Sequence, residues 1–377
     1  MIAYFRTPPE KRLRARVMWI FGCVTVFFAV LFLVLYAVIG SLSESVPGTD
    51  AAARWAADDS AYPFAQVSAY FAQNNAVDLN DIYLARMEIE KSLAQNAVTT
   101  PDGAQPFVDA FSGETTVTLT AERGSLSVTA TVCGGNFFFF HPLTLLDGDY
   151  FDESSPNANT IILDEYAAWQ LFGAVEVAGM EVTLGGQPFY IAGVTKTPTD
   201  TLERAAYGEN PRMSVSYTGL RLTSGFDRAS CYEIVMPNPI DNFASDIVKS
   251  QFGITDTAQN AVCYDYTERF SFETLAPASV SYFERAMRQD SVIPPYWENV
   301  ARVAENKAIV TAFFAAVAGI LALICFVVFV SFWFHIHPLR IRDIWGFVDD
   351  KIEKRRMKSW LKKQNTPLNA PERTIAE

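Results

Sequence analysis

Histidine is scarce, with three copies in 377 residues, and neither H-E-x-x-H, nor G-x-S-x-G, nor the glycine-lysine loop of a phosphate-binding ATPase occurs anywhere in the chain. Metalloprotease, serine-hydrolase and nucleotide-hydrolysing chemistry therefore lack their signatures, and no catalytic, cofactor-binding or metal-binding residue set is assigned. Cysteine is also sparse. Cys23 and Cys325 lie in long apolar runs, leaving Cys133, Cys231 and Cys263, so at most one disulfide can form among those three and no stapled scaffold is expected. Charge is missing altogether from two long apolar runs, Val17 to Ile39 and Ala308 to Phe334. Each exceeds the roughly 20 residues that cross a bilayer as a helix.

The first run follows basic residues near the start and is longer than the apolar region of a secretory signal, which covers about 7 to 15 residues. Small residues near Ser41 and Ser43 keep cleavage as an alternative. Arg6, Lys11, Arg12, Arg14 and Arg16 precede the first run, and Arg340, Arg342, Lys351, Lys354, Arg355, Arg356, Lys358, Lys362 and Lys363 follow the second. Positive flanks mark the cytoplasmic side, so residues 1–16 and 335–377 are expected inside and residues 40–307 outside, in a cell-membrane protein with two passes. The outer segment holds 15 of the 30 Lys and Arg but 35 of the 42 Asp and Glu. Basic ends beside an acidic outer domain suit an anionic inner leaflet and give no reason to expect nucleic acid.

Within the outer segment, "DLNDIYLARMEIEKSLAQ" has helical spacing at Ile82, Ala85, Ile89 and Leu93, with Asp81 as a candidate cap. "TTVTLTAERGSLSVTATV" alternates like a hairpin around a Gly-Ser turn. Thr160 to Leu163 reads as a buried strand, Glu165 to Phe172 as a helix and Gly173 as its stop. Gly185-Gly186 supplies the positive φ angles of a two-residue hairpin turn. "CYEIVMPNPIDNFASDIVKSQFG" reads as strand, turn and helix ending at Gly253. The expected fold class is α+β, in two lobes, held between two transmembrane helices.

Several local signals have a bland and a sharp reading. Phe137 to Phe140, directly after a strand and without nearby Lys or Arg, reads as a strand buried on both faces rather than a lipid-inserting tip, with His141 as a structural residue closing it. Asp147, Asp149, Asp152 and Glu153 lack the central glycine and distal glutamate of a calcium loop, which favours a turn followed by an aromatic anchor. Asp164 and Glu165 suit a helix start. His335 and His337 have only Asp343 as a neighbouring carboxylate, so membrane-edge anchoring is preferred to a metal site. Tyr296 to Lys307 continues as a helix into the second apolar run, giving a stalk. Ala308, Ala312, Ala315, Gly319 and Ala322 fall along one stripe of that run, a candidate partner-facing side.

The sequences "GGNFFFFHPLTLLDGDYFDE", "TIILDEYAAWQLFG" and "VAGMEVTLGGQPFYIAGV", in that order, resemble the extracytoplasmic core domain of MacB-type ABC transporter permeases. Gly148, Phe151, Asp164, Glu165, Ala168, Leu171, Phe172, Gly173, Gly179, Gly186, Gly193 and Val194 occupy the positions of that pattern. The resemblance implies a MacB-like periplasmic core after the first membrane helix. It also implies a role as a permease-like subunit whose partner is a separate ABC ATPase, a full-length permease or a second copy of the chain. Those permeases resemble four-span proteins, whereas two spans are present here, so the FtsX-like membrane part is expected to be incomplete. The tail Asp343 to Lys363 mixes Trp345, Phe347, Ile352 and Trp360 with charge, suiting a membrane surface or a docking partner. A two-span sensor signalling through a partner is the rival reading, and an ectoenzyme a third that lacks any acid, base or metal cluster.

Overall fold

Turn chemistry and alternation set most of the outer domain. The computed structural model describes residues 9–46, 48–56, 62–96, 98, 105–151, 158–255, 259–267, 269–280, 282, 291–336, 353–355 and 357–358. Asp152, Glu153, His337 and most of the segment Asp343 to Lys363 lie outside them. Contacts divide the chain into Val34–Ala315 and a second unit of Met1–Leu33 with Ala316–Glu377.

The chain enters through α1 (Pro9–Glu44) and a short α2 (Ala51–Trp55), then forms β1 (Phe64–Phe71), β2 (Val77–Asp78) and α3 (Leu79–Gln95). Asp78, not Asp81, caps α3, its side chain accepting from the Asn80 amide at 3.0 Å, because the helix begins one turn earlier than its apolar periodicity implies. A long hairpin follows, β3 (Val108–Ala121) and β4 (Gly124–Gly135). Ala121 pairs with Gly124, so Glu122 and Arg123 form the turn and the expected Gly-Ser pair instead starts β4.

Phe137–Phe140 is a helical turn, α4, and not a strand. A run of four identical residues has no periodicity to distinguish the two. The left-handed backbone of Gly135 ends β4, and the turn then carries Phe137 and Phe140, three apart, into the interior together. β5 (Leu145–Gly148), β6 (Thr160–Asp164) and α5 (Glu165–Phe172) come next. Asp164 caps α5 by accepting from the Ala167 amide at 2.7 Å, and Gly173 stops it at φ 75°. β7 (Glu181–Leu184) and β8 (Gln187–Thr195) are joined by Gly185 and Gly186 at φ 57° and 79°, as the sequence requires.

The remaining elements are α6 (Thr201–Tyr207), β9 (Arg212–Ser216), α7 (Tyr217–Ser224), β10 (Arg228–Ala229), β11 (Cys231–Pro237), α8 (Phe243–Phe252), β12 (Ala261–Asp265), α9 (Phe272–Val280) and α10 (Tyr296–Ile336). The main sheet runs β12-β1-β11-β3-β4-β9-β6-β8-β5, while β7 pairs with both β3 and β8. Those last pairings close β3, β4, β9, β6, β8 and β7 into a ring, with β11, β1 and β12 extending from it as an open sheet. One apolar cluster joins ring residues such as Leu119, Ile161 and Phe189 to α5, α3 and α8. A second packs α2, α4 and the head of α10 around Tyr70, Val108, Cys133 and Val235.

No disulfide forms among the five cysteines. Cys133 and Cys231 both lie beside Ser112 on opposite neighbours of β3, and β1 separates Cys263 from β11. One intervening strand places two residues about 10 Å apart, beyond the ~7 Å reach of a disulfide.

Candidate functional site at the head of the stalk helix

α10 is a single helix of 41 residues, so the expected stalk and second apolar run are continuous. Its first turns enter the outer domain through two contrasting contacts. On one side Trp297, 4% exposed, packs against Phe137 at 5.7 Å and His141 at 4.3 Å between ring centroids. Tyr296 meets Tyr207 at 4.9 Å, and the Arg212 guanidinium lies 5.0 Å from the Tyr207 ring and 5.1 Å from Tyr296. Burial pushes both tyrosine hydroxyls up from their ordinary value. His141 Nε2 lies 2.5 Å from a Glu233 carboxylate oxygen, and Ser68 Oγ donates to the other oxygen at 3.1 Å. His141 is thus a buried structural histidine, as its place beside the Phe run suggests, but its partner comes from a distant strand.

On the other side Arg269 makes a bidentate pair with Glu298, at 2.7 and 3.0 Å, and its Nε donates to Glu305 at 3.0 Å. Arg302 Nε also donates to Glu298 at 3.0 Å, and the Tyr266 hydroxyl donates to the same carboxylate. Tyr70 and Tyr266 share a hydrogen bond of 2.7 Å, extending the network into β1. Burial disfavours the charged form of Arg269, but the Glu298 carboxylate outweighs it and holds the guanidinium well above its ordinary value. Glu298, Arg302 and Glu305 recur at helical spacing. That spacing was the available sequence signal, while Arg269 lies 29 residues earlier and is paired by the fold alone.

Between the aromatic contact and the ring is a cavity of about 320 Å³, walled by Asp164, Lys196, Glu203, Tyr207, Arg212 and Tyr296 among others. Burial, only partly offset by hydrogen bonds from the Ala167 and Arg212 amides and Tyr207, holds the Asp164 carboxyl above its usual range. Among the described residues no cluster of three or more His, Cys, Asp or Glu is arranged to hold a metal.

The pattern residues are distributed through the scaffold. Gly148 pairs with Gly193 across β5 and β8, Phe151 is buried beside α4, and Gly179 donates to the Ile191 carbonyl. Ala168, Leu171 and Val194 join the core, Phe172 packs at its margin and Glu165 sits in the first turn of α5. Asp164 alone also lines the cavity. Part of the stripe on α10 is met from within the chain. Ala308 and Ala312 cluster with Ile39, Leu275 and Ala278, Ala315 is buried, a Cβ at Gly319 would lie 3.4 Å from Phe32, and Ala322 is half-buried. Small residues let helices approach closely, and Ala308, Ala312 and Gly319 meet segments of the same chain.

The MacB-like periplasmic core domain model matches residues 22–241. The chain belongs to that family. The macrolide export ATP-binding/permease protein MacB of Agrobacterium fabrum (strain C58 / ATCC 33970) is 34% identical over 97 residues, which are 24% of this chain and 15% of that protein. The MacB-like chain therefore aligns with a small part of its relative's length. The extracellular domain of the noncanonic ABC-type transporter YknZ from Gram-positive bacteria is 17% identical, with 53% of this chain and 99% of that one covered and a TM-score of 0.37. The periplasmic region of MacB from Actinobacillus actinomycetemcomitans is 12% identical, with coverages of 53% and 88% and a TM-score of 0.38. The family match ends before Arg269 and α10, so the ionic contact lies outside the matched residues.

Proposed function

We propose that this MacB-like chain is a membrane subunit of an ABC-type transport or mechanotransmission complex. Its two long apolar helices cross the membrane, both flanks are cytoplasmic, and the core domain faces outward, where it binds a substrate or partner. The closed ring and the open sheet act as two lobes, and the ATPase resides on a separate subunit or a full-length permease. The observation that carries this reading is α10. One unbroken helix is gripped by the core domain at Trp297, Glu298 and Glu305 and continues as an apolar run, so a change at its head has a stiff element to travel along. Family membership supports the ABC-type setting.

The test is affinity purification of the tagged protein from mildly crosslinked native membranes, followed by mass spectrometry and an ATPase assay on the isolated chain. A stoichiometric ATPase or multi-span permease, with no turnover by the chain alone, is expected. Turnover by a clean preparation would contradict the proposal, and recovery of only a kinase or a secreted ligand would favour a two-span sensor.

A further inference from the structure

We propose that the cavity beside the head of α10 is a binding site for a small organic carboxylate with an aromatic or aliphatic body, held by Lys196, Arg212 and Trp297. Its volume of about 320 Å³ falls at the small end of ligand sites. The sign of the ligand follows from which polar groups are already engaged. Asp164 accepts from the Ala167 amide, the Arg212 amide and the Tyr207 hydroxyl, so its oxygens are satisfied. Arg212 donates from Nε to the Tyr207 carbonyl and from Nη1 to Glu114, leaving Nη2 without a hydrogen bond among the described residues. Lys196 lines the same cavity, is exposed and has no ion pair among the described residues.

Trp297 adds an independent observation. Its indole nitrogen is the one buried side-chain polar atom among the described residues with no hydrogen-bond partner, and Trp297 is among the residues that border the cavity. A buried N–H without an acceptor costs free energy that an acceptor supplied by a ligand would recover. The remaining acid is Glu203, whose carboxyl is pushed up by burial first and by Asp200 second, so burial disfavours its charge. The unengaged groups therefore favour an acceptor-rich anion. Phe137, Tyr207 and Tyr296 offer apolar faces for its body. Because Tyr296 and Trp297 belong to α10, occupancy would bear on the stalk directly.

Isothermal titration of the full chain in lipid nanodiscs, with empty discs subtracted, tests the site using 4-phenylbutyrate, its amide and 4-phenylbutylamine. Saturable binding of the carboxylate is expected, weaker by about tenfold or more for the amide and amine. Lys196→Gln, at an exposed position that leaves the core intact, and Trp297→Phe, which keeps an aromatic wall, should each weaken the carboxylate by about tenfold. Equal binding of all three probes, no saturable heat into the millimolar range, or unchanged affinity in Lys196→Gln would overturn the proposal. The measurement uses the chain alone, so the presence or absence of an ATPase partner does not affect its outcome.

Discussion

Trp297 and Glu298 are neighbours at the head of α10, yet the core domain holds them by unlike means. Glu298 is fully buried, and its carboxylate is surrounded by Arg269, Arg302 and Tyr266. Trp297 is nearly as buried, but it is held by ring contacts, lacks an acceptor for its N–H and borders a cavity. A buried ion network that loses one member leaves an uncompensated charge, so it resists change. Aromatic packing beside an open volume tolerates rearrangement at lower cost. The ionic side is therefore the costlier one to disrupt, and the aromatic side the one whose repacking costs less.

The largest test of that contrast is Arg269→Met. It leaves Glu298 and Glu305 without their principal partner and should cost the outer domain about 3–5 kcal/mol, measured by denaturant unfolding of the purified full chain. His141→Leu probes the other side. It removes the Glu233 partner and should cost about 1–3 kcal/mol, less than the loss at Arg269 because Ser68 still donates to the carboxylate. The reverse order of the two losses would break the comparison.

Glu203→Gln should have the smallest effect, recognised by its pH dependence. Burial raises the folded-state pKa of Glu203 above its ordinary 4.5, so the folded state binds the proton more tightly than the unfolded chain. Stability consequently falls as pH rises from the unfolded value through the raised folded one. The substitution should remove that decline, giving a small gain at neutral pH and none in acid below both values. A loss at neutral pH would show that the carboxylate is instead engaged in its charged form.

Much of the outer scaffold is written in local signals. Asp164 and Gly173 bound α5, Gly185-Gly186 turns β7 into β8, and Gly253 ends α8 because each position has a backbone requirement visible within a few residues. The Phe run defeated local reasoning because four identical apolar residues suit either a buried strand or a buried turn, and tertiary packing chose the turn. The site was less legible. Nothing near Arg269 signals that it will meet Glu298, and His141 finds Glu233 92 residues away. The alanine and glycine stripe on α10 suits a close helix contact, but periodicity alone does not say whether the facing helix belongs to the same chain.

The most direct test of the central claim is hydrogen exchange of the full chain in nanodiscs, comparing amides at residues 296–307 with those of β1 and β11. If the core domain and the stalk head are one rigid attachment, both sets should exchange at similarly slow rates, and Arg269→Met should selectively accelerate residues 296–307. Fast, independent exchange of that helix segment in the unaltered protein would show that the domain does not grip it, contradicting the coupling role.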